Sequence, residues 1–261
     1  MKIKDVISAL ERFAPLPLQE DWDNAGLQVG LTEAEVSGVL LCLDVTEKVV
    51  DEAISKGCNL IVSHHPLIFR GLRQVAGMND VQRTVMKAVR HDITIVSLHT
   101  NLDAAQGGVN HEMADRLHLE NVRFLAPQVK AGVECGIGVI GELETPLAPE
   151  AFIALVKETF RCGCVVTNPL LNRDIRRVVC AGGSCGDFLP QAISAGADAF
   201  ITGEMHYHSY FDHDDEIQIA VIGHYESEQF TQQLLRRIIE RDCPGTVCHI
   251  TAVVTNPLRY H

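Results

Sequence analysis

Short, wholly apolar runs separated by helix-length stretches restrict this chain to an alternating α/β architecture. A run of roughly four to six apolar residues between polar turns has the length of a strand and suits one buried on both faces of a covered sheet. Val39-Leu40-Leu41-Cys42-Leu43-Asp44 and Asn59-Leu60-Ile61-Val62-Ser63 are two such runs, and the stretch Thr46 to Lys56 between them, closed by Gly57, predicts a helix. A second helix is expected from Asp80 to His91, leading into a third run, Ile93-Thr94-Ile95-Val96-Ser97-Leu98. The second half follows the same plan. Arg177-Val178-Val179-Cys180 reads as a strand, Asp187 to Ser194 as a helix, Ala199-Phe200-Ile201-Thr202 as a strand, and Ile217 to Ile222 as another.

The repetition reaches individual residues. Ala53-Ile54-Ser55-Lys56-Gly57 corresponds to Ala192-Ile193-Ser194-Ala195-Gly196, each is followed by a strand ending in Ser63 or Thr202, and His99 and His224 fall at matching strand ends. The expected fold is therefore α/β, with two similar β-α-β lobes, 1–125 and 126–261, packed together and a site at strand C-terminal ends between them. Glu134 to Glu144 reads as a strand, Pro149 to Arg161 as a helix with Pro and Glu in its first turn, and no low-complexity linker separates the lobes. With 261 residues, 46% of them hydrophobic, such a chain buries a core without metal or disulfide staples.

The formal charge is −12, and no run of Lys and Arg is present that would neutralise a row of phosphates. This argues against extended nucleic acid as a partner, whereas a single nucleotide held on metals remains compatible. No apolar stretch followed by a small-residue cleavage site opens the sequence, and no run is long enough to span a bilayer, so a cytoplasmic protein without membrane contact is expected. The nine cysteines are scattered and contain no Cys-x-x-Cys pair. Cys42, Cys58 and Cys180 read as small buried hydrophobes in a reducing compartment, and Cys162-Gly163-Cys164 has no His beside it to complete a metal site.

Three motifs carry metal chemistry. Ser63-His64-His65-Pro66 places two imidazoles directly after a buried strand, and because adjacent residues of an extended chain point to opposite sides, the pair suits two neighbouring ions better than one. Read blandly, it is a loop with two incidental histidines. Leu98-His99-Thr100-Asn101-Leu102-Asp103 offers a further imidazole and a carboxylate, Asp103 being either a ligand or an N-cap for a helix from Gly107 to His118. In Gly223-His224-Tyr225-Glu226-Ser227-Glu228, at the start of a long helix, His224 and Glu228 are four apart and project from one helical face, with a surface ion pair as the bland alternative. His64, His65, Asp103, His224 and Glu228 together suit two borderline divalent ions such as zinc, iron, manganese or nickel, and the lack of thiolates argues against a closed structural zinc site. His99, Asn101, Trp22 and Asn24 are candidates to line the cavity or support the ligands. Trp22, the only tryptophan, lies in a polar turn where it either meets a ligand or another subunit, or covers the core. His206 and His208 lie two apart after a strand and could line the cavity, but on an early helix turn they are expected to face solvent, and His213, His249 and His261 have no evident partner.

Over nearly its whole length the sequence resembles the family of GTP cyclohydrolase 1 type 2 homologues, also called Nif-three-like dinuclear metal centre hexameric proteins. The residues that carry the resemblance are Glu20-Asp21-Trp22-Asp23-Asn24-Ala25-Gly26-Leu27-Gln28-Val29-Gly30, Ile61-Val62-Ser63-His64-His65-Pro66, His99-Thr100-Asn101-Leu102-Asp103, Gly182-Gly183-Ser184, Ile201-Thr202-Gly203-Glu204 and Gly223-His224-Tyr225-Glu226-Ser227-Glu228. The resemblance implies a toroidal homohexamer with metal pairs facing an internal cavity, His64 and Asp103 on one ion, His65 and His224 on the other, and Glu228 bridging. Some relatives insert a domain in the middle. The run from Val122 to Val178 is too short for it, so this is the compact form, and His206 stands where relatives usually have Lys. The activity implied is metal-dependent hydrolysis of a nucleotide-like or small polar substrate, in the narrowest form opening of the guanine ring of GTP. A non-catalytic metal-binding scaffold for protein interaction is the alternative.

Overall fold

The computed structural model describes residues 1–259; His261 lies outside the described residues. In chain order the elements are α1 (Ile3–Phe13), β1 (Gly26–Val29), β2 (Val39–Cys42), α2 (Glu47–Ser55), β3 (Leu60–Ser63), α3 (Asp80–Arg90), β4 (Thr94–Ser97) and α4 (Thr100–Ala104). There follow α5 (Val109–Arg116), β5 (Glu120–Phe124), β6 (Gln128–Lys130), β7 (Val133–Cys135), β8 (Val139–Leu147), α6 (Pro149–Thr159), β9 (Val166–Thr167) and β10 (Ile175–Ala181). The chain ends with α7 (Leu189–Ser194), β11 (Ala199–Thr202), β12 (Gln218–Val221), α8 (His224–Glu228), α9 (Thr231–Asp242) and β13 (Cys248–Ile250).

Two compact units result, one from Met1–Leu102 with Thr231–Pro257, the other built on Asp103–Phe230. The expected boundary at 125/126 is thus replaced by a discontinuous first unit. The chain returns to it because β13 adds to the sheet beside β2, in parallel, with Cys248 opposite Val39.

In the first unit the strand order is β1-β4-β3-β2-β13, with only β1 antiparallel to its neighbour. Every residue of β2, β3 and β4 is buried, as continuous apolar runs require when helices cover both faces. Thr46 caps α2 by accepting from the Val49 N–H, and Asn79 caps α3 by accepting from that of Gln82. A core of Leu40, Val49, Ala53, Ile61, Val85, Ala88 and Ile95 joins helices to sheet.

In the second unit the order is β5-β8-β10-β11-β12-β9, and the central β10-β11-β12 ladder is parallel. Its α7 turn copies that of α2. Gly57 and Gly196 both have φ +68°, the Cys58 and Ala197 N–H groups donate to Ala53 and Ala192 carbonyls, and the glycine N–H groups donate to Ile54 and Ile193. A left-handed C-cap of this kind needs glycine and releases the chain into the next strand, so the repeat seen in the letters is a repeat of backbone geometry. Phe152, Phe160, Val178 and Ile201 fill one face of this sheet, and Val179, Phe200 and Ile219 the other.

Two elements differ from expectation. The strand expected over Glu134 to Glu144 is divided, because Gly138 takes φ +73° and the backbone at Gly136 passes against the Ala126 carbonyl, leaving β7 to pair with β6 as a hairpin and β8 to enter the main sheet. The long helix expected after His224 is also broken. Phe230 joins the core of the second unit with the Arg116 guanidinium 3.7 Å from its ring centre, whereas α9 belongs to the first unit. Among the described residues no helix is long and apolar enough to cross a membrane.

Candidate metal centre

In the first unit, the chain leaving β3 delivers His64 and His65, whose ring centres lie 5.1 Å apart. His64 is fully buried, and its Nδ1–H donates to the Leu98 carbonyl at 2.7 Å. Because a carbonyl only accepts, Nδ1 carries the proton and Nε2 the lone pair. His65 Nδ1 donates to Asp44 Oδ1 at 2.7 Å, which fixes the same tautomer. Asp44 lies two residues beyond β2, and its second oxygen accepts from the Thr255 hydroxyl at 2.6 Å.

His99, after β4, packs edge-on against both rings, with centres 5.4 Å and 5.6 Å away. It is held by Asp23, which accepts from His99 Nδ1 at 2.7 Å, from the Thr100 hydroxyl at 2.5 Å and from the Thr100 N–H at 3.1 Å. Burial alone would raise the Asp23 pKa, but the hydrogen bonds from His99 and Thr100, the His99 charge and the Asn24 N–H together hold it down at about 2. A depressed carboxylate stabilises the fold above its unfolded pKa and loses that contribution as pH falls through the folded value. Asp23, whose side chain is fully buried, is therefore expected to contribute about 2 kcal/mol at neutral pH that disappears between about pH 4 and pH 2. Urea unfolding of the parent and Asp23→Asn across that range should show their stability gap closing; a constant gap would refute the assignment.

Asn101, a candidate to line the cavity or support the ligands, is fully buried: its amide donates to the Ala14 carbonyl and its oxygen accepts from the His99 N–H. Trp22 is 60% exposed, so it does not cover the core, and its ring meets Phe69 and His99 at 5.9 Å and 6.0 Å. The Asn24 amide donates to the Ile68 carbonyl at 2.6 Å.

In the second unit, α8 begins at Gly223, where φ is +98°, and places His224 and Glu228 on one face with Nε2 and Oε2 3.2 Å apart. His224 Nδ1 pairs with Glu204 Oε1 at 2.9 Å. Glu228 is buried and lies against Gly183, so close that a methyl group there would strike its carboxylate. Gly203 likewise lets α8 approach, since a methyl group would come within 3.0 Å of His224 Cα. This explains the Gly182-Gly183-Ser184 and Thr202-Gly203-Glu204 motifs as close-approach backbone. Asp103 is not the expected cap of α5, whose N-cap is Gly108; it lies in α4. Burial first, and then the negative charges of Asp103, Glu228 and Asp187, push the Cys185 thiol far above its usual range.

Other expectations resolve simply. His206 and His208 are exposed, His208 stacking on Phe211, and His213 has a partner after all in Glu216 at 2.7 Å. His249 lies in β13. All nine cysteines are free, and burial pushes Cys162 up to about 12 and Cys180 likewise to about 12.

A family model for Duf34/NIF3 (NGG1p interacting factor 3) matches residues 1–257. The chain belongs to this family. A Duf34/NIF3 relative from Clostridium acetobutylicum, called GTP cyclohydrolase 1 type 2 homolog, is 36% identical over 87% of this chain and 85% of its own. One of the same name from Lactococcus lactis is 33% identical over 98% of each. A crystal structure of a Staphylococcus aureus protein superposes with a TM-score of 0.91 at 29% identity, covering 100% of this chain and 99% of that one. The Bacillus cereus protein related to NIF3 gives 0.89 at 25% with the same coverage.

Proposed function

We propose that this Duf34/NIF3 protein is a metal-dependent hydrolase in which His64, His65, Asp103, His224 and Glu228 hold two divalent ions, with zinc, iron, manganese and nickel the candidates. The observation that carries this reading is that His64, His65 and His224 each have Nδ1 engaged by an oxygen, from Leu98, Asp44 and Glu204. Ligating histidines characteristically hold one ring nitrogen to a carbonyl or carboxylate, which orients the ring and presents the other. The His64, His65 and Glu228 donors are of the types a metal ion takes, and the proposal adds Asp103 and His224 to them. The arrangement proposed is His64 with Asp103, His65 with His224, and Glu228 shared.

Bound there, divalent ions lower the pKa of water toward neutrality and polarise a substrate. This chain's own residues fix the geometry. Asp44 and Glu204 orient two imidazoles, Gly183 and Gly203 admit α8, and Asp23 holds the His99 ring beside His64 and His65. The substrate class proposed is a nucleotide-like or small polar compound, and the relatives' name narrows it to opening of the guanine ring of GTP. The family description, an interacting factor, favours a second reading as a non-catalytic metal-binding scaffold. Reconstitution with each metal followed by a screen of nucleotides and phosphate esters separates them. Metal-dependent turnover is expected on at least one compound; full metal loading without turnover on any would leave the scaffold.

The assembly proposed is a cytoplasmic homohexamer with no membrane or extended nucleic-acid partner. Sedimentation should give a mass near six chains, and a stable monomer at micromolar concentration would contradict it.

A further inference from the structure

The segment joining β3 to α3, residues 64–79, contains no helix or strand, yet it is fastened at several points. Loops this long are uncommon in compact folds and usually functional. At its start the Ile68 carbonyl accepts from Asn24 and the Ile68 N–H donates to Gln28 Oε1 at 3.1 Å. Further on, the buried Gln82 amide oxygen accepts from the N–H groups of both Ala76 and Met78. These bonds hold Phe69 against Trp22, forming one aromatic wall with the rings 5.9 Å apart and both well exposed. Next to it opens a cavity of about 580 Å³, bordered by Phe69, Arg70, Leu72, Arg73, Gln74 and Asn79.

Among the residues that line this cavity, Arg70 and Arg73 are cationic and none is a carboxylate, in a chain with 34 acidic and 22 basic residues. In the same unit Lys2 and Lys4 pair with Glu33, Arg83 with Glu47 and Lys87 with Asp51. Arg70 and Arg73 line the cavity with no ion pair to any described residue. Two guanidinium groups on a fastened loop, beside exposed aromatic rings, suit an anion with several acceptor oxygens attached to a planar group. A pocket of this size takes a small molecule.

We propose that loop 64–79 is an anion subsite that binds the phosphate of a small phosphate ester through Arg70 and Arg73, with the planar part of that molecule against Trp22 and Phe69. Its assignment as the anchor of the substrate rests on the hydrolase reading; binding itself does not, because none of these groups is a proposed metal ligand.

The test uses chelator-treated full-length protein at low ionic strength, titrated with phenyl phosphate and followed by the fluorescence of Trp22, the only tryptophan. A saturable change is expected, with inorganic phosphate competing and phenol silent over the same range. The double variant Arg70→Gln/Arg73→Gln should bind at least about tenfold more weakly, and Arg70→Lys/Arg73→Lys should recover part of the loss, since it keeps the charge but not the planar fork. No saturable response by fluorescence or calorimetry, unchanged affinity in the glutamine variant, or equal binding of phenol would each overturn the subsite. Metal-dependent turnover with no such binding would sink the subsite and spare the hydrolase; binding without turnover on any ester would do the reverse.

Discussion

Glu228→Gln is expected to lose most of the bound metal while the protein remains folded. Glu228 is 4% exposed, lies against the Gly183 backbone and the His224 ring, and is the carboxylate proposed to be shared by both ions. Two cations held close together repel, and only a buried anion between them offsets that repulsion in a low-dielectric setting. Glutamine keeps the shape and removes the charge. Affinity should therefore fall by more than the roughly 10–100-fold that follows loss of a supporting partner of a ligand, and activity should fall with it. Metal analysis after exhaustive dialysis, with thermal melting alongside, reads both effects. Glu226→Gln is the comparison, because Glu226 lies two positions earlier on the same helix and points to another face. It is buried, only 7% exposed, and near enough to Cys162 to raise that thiol further beyond the effect of burial, so its replacement should register in stability and leave metal content unchanged. Full metal in Glu228→Gln, with loss in Glu226→Gln, would require the site to be redrawn.

Gly183→Ala should damage the same site from the backbone side. At φ +66° an L-residue is strained by roughly 1–2 kcal/mol, and the new methyl group would run into the Glu228 carboxylate. Gly57→Ala separates these effects, because Gly57 has φ +68° and nothing within 4 Å of its would-be Cβ. Gly57→Ala should lower stability by the backbone contribution alone and keep its metal. Gly183→Ala should lose more stability and its metal as well. Equal destabilisation with metal retained in both would show that Glu228 is not held where the glycine motif implies.

What was legible in the sequence followed from burial. β2, β3, β4 and β11 are buried at every position, so each reads as an apolar run broken at most by a Ser or Thr at its ends, and the residues just beyond such runs are where α/β sheets present ligands. His64 and His65 were found that way, and the helical spacing of His224 and Glu228 survives in α8. Asp44, Asp23 and Glu204 lie within or beside the same sequence stretches, where nothing local marks their role. Each supports a histidine far along the chain, Asp23 lying 76 residues from His99, and periodicity carries no such pairing. Asp44 still had a usable signal, since it lies two residues beyond a buried strand. The division of the strand around Gly136–Gly138 and the break between α8 and α9 escaped because tertiary packing decides them: a close backbone passage in one case, the burial of Phe230 in the other. The same holds for the unit boundary, which depends on β13 pairing with β2 over 200 residues away in sequence.

The central claim, two divalent ions held by these five residues, is tested most directly by anomalous scattering from crystals of metal-reconstituted protein grown without chelator, recorded at the absorption edge of the added metal. The account predicts two peaks per chain about 3.5–4 Å apart, one beside His64 and Asp103, the other beside His65 and His224, with Glu228 touching both. A single peak, or none at these residues after reconstitution with each candidate metal, would contradict it.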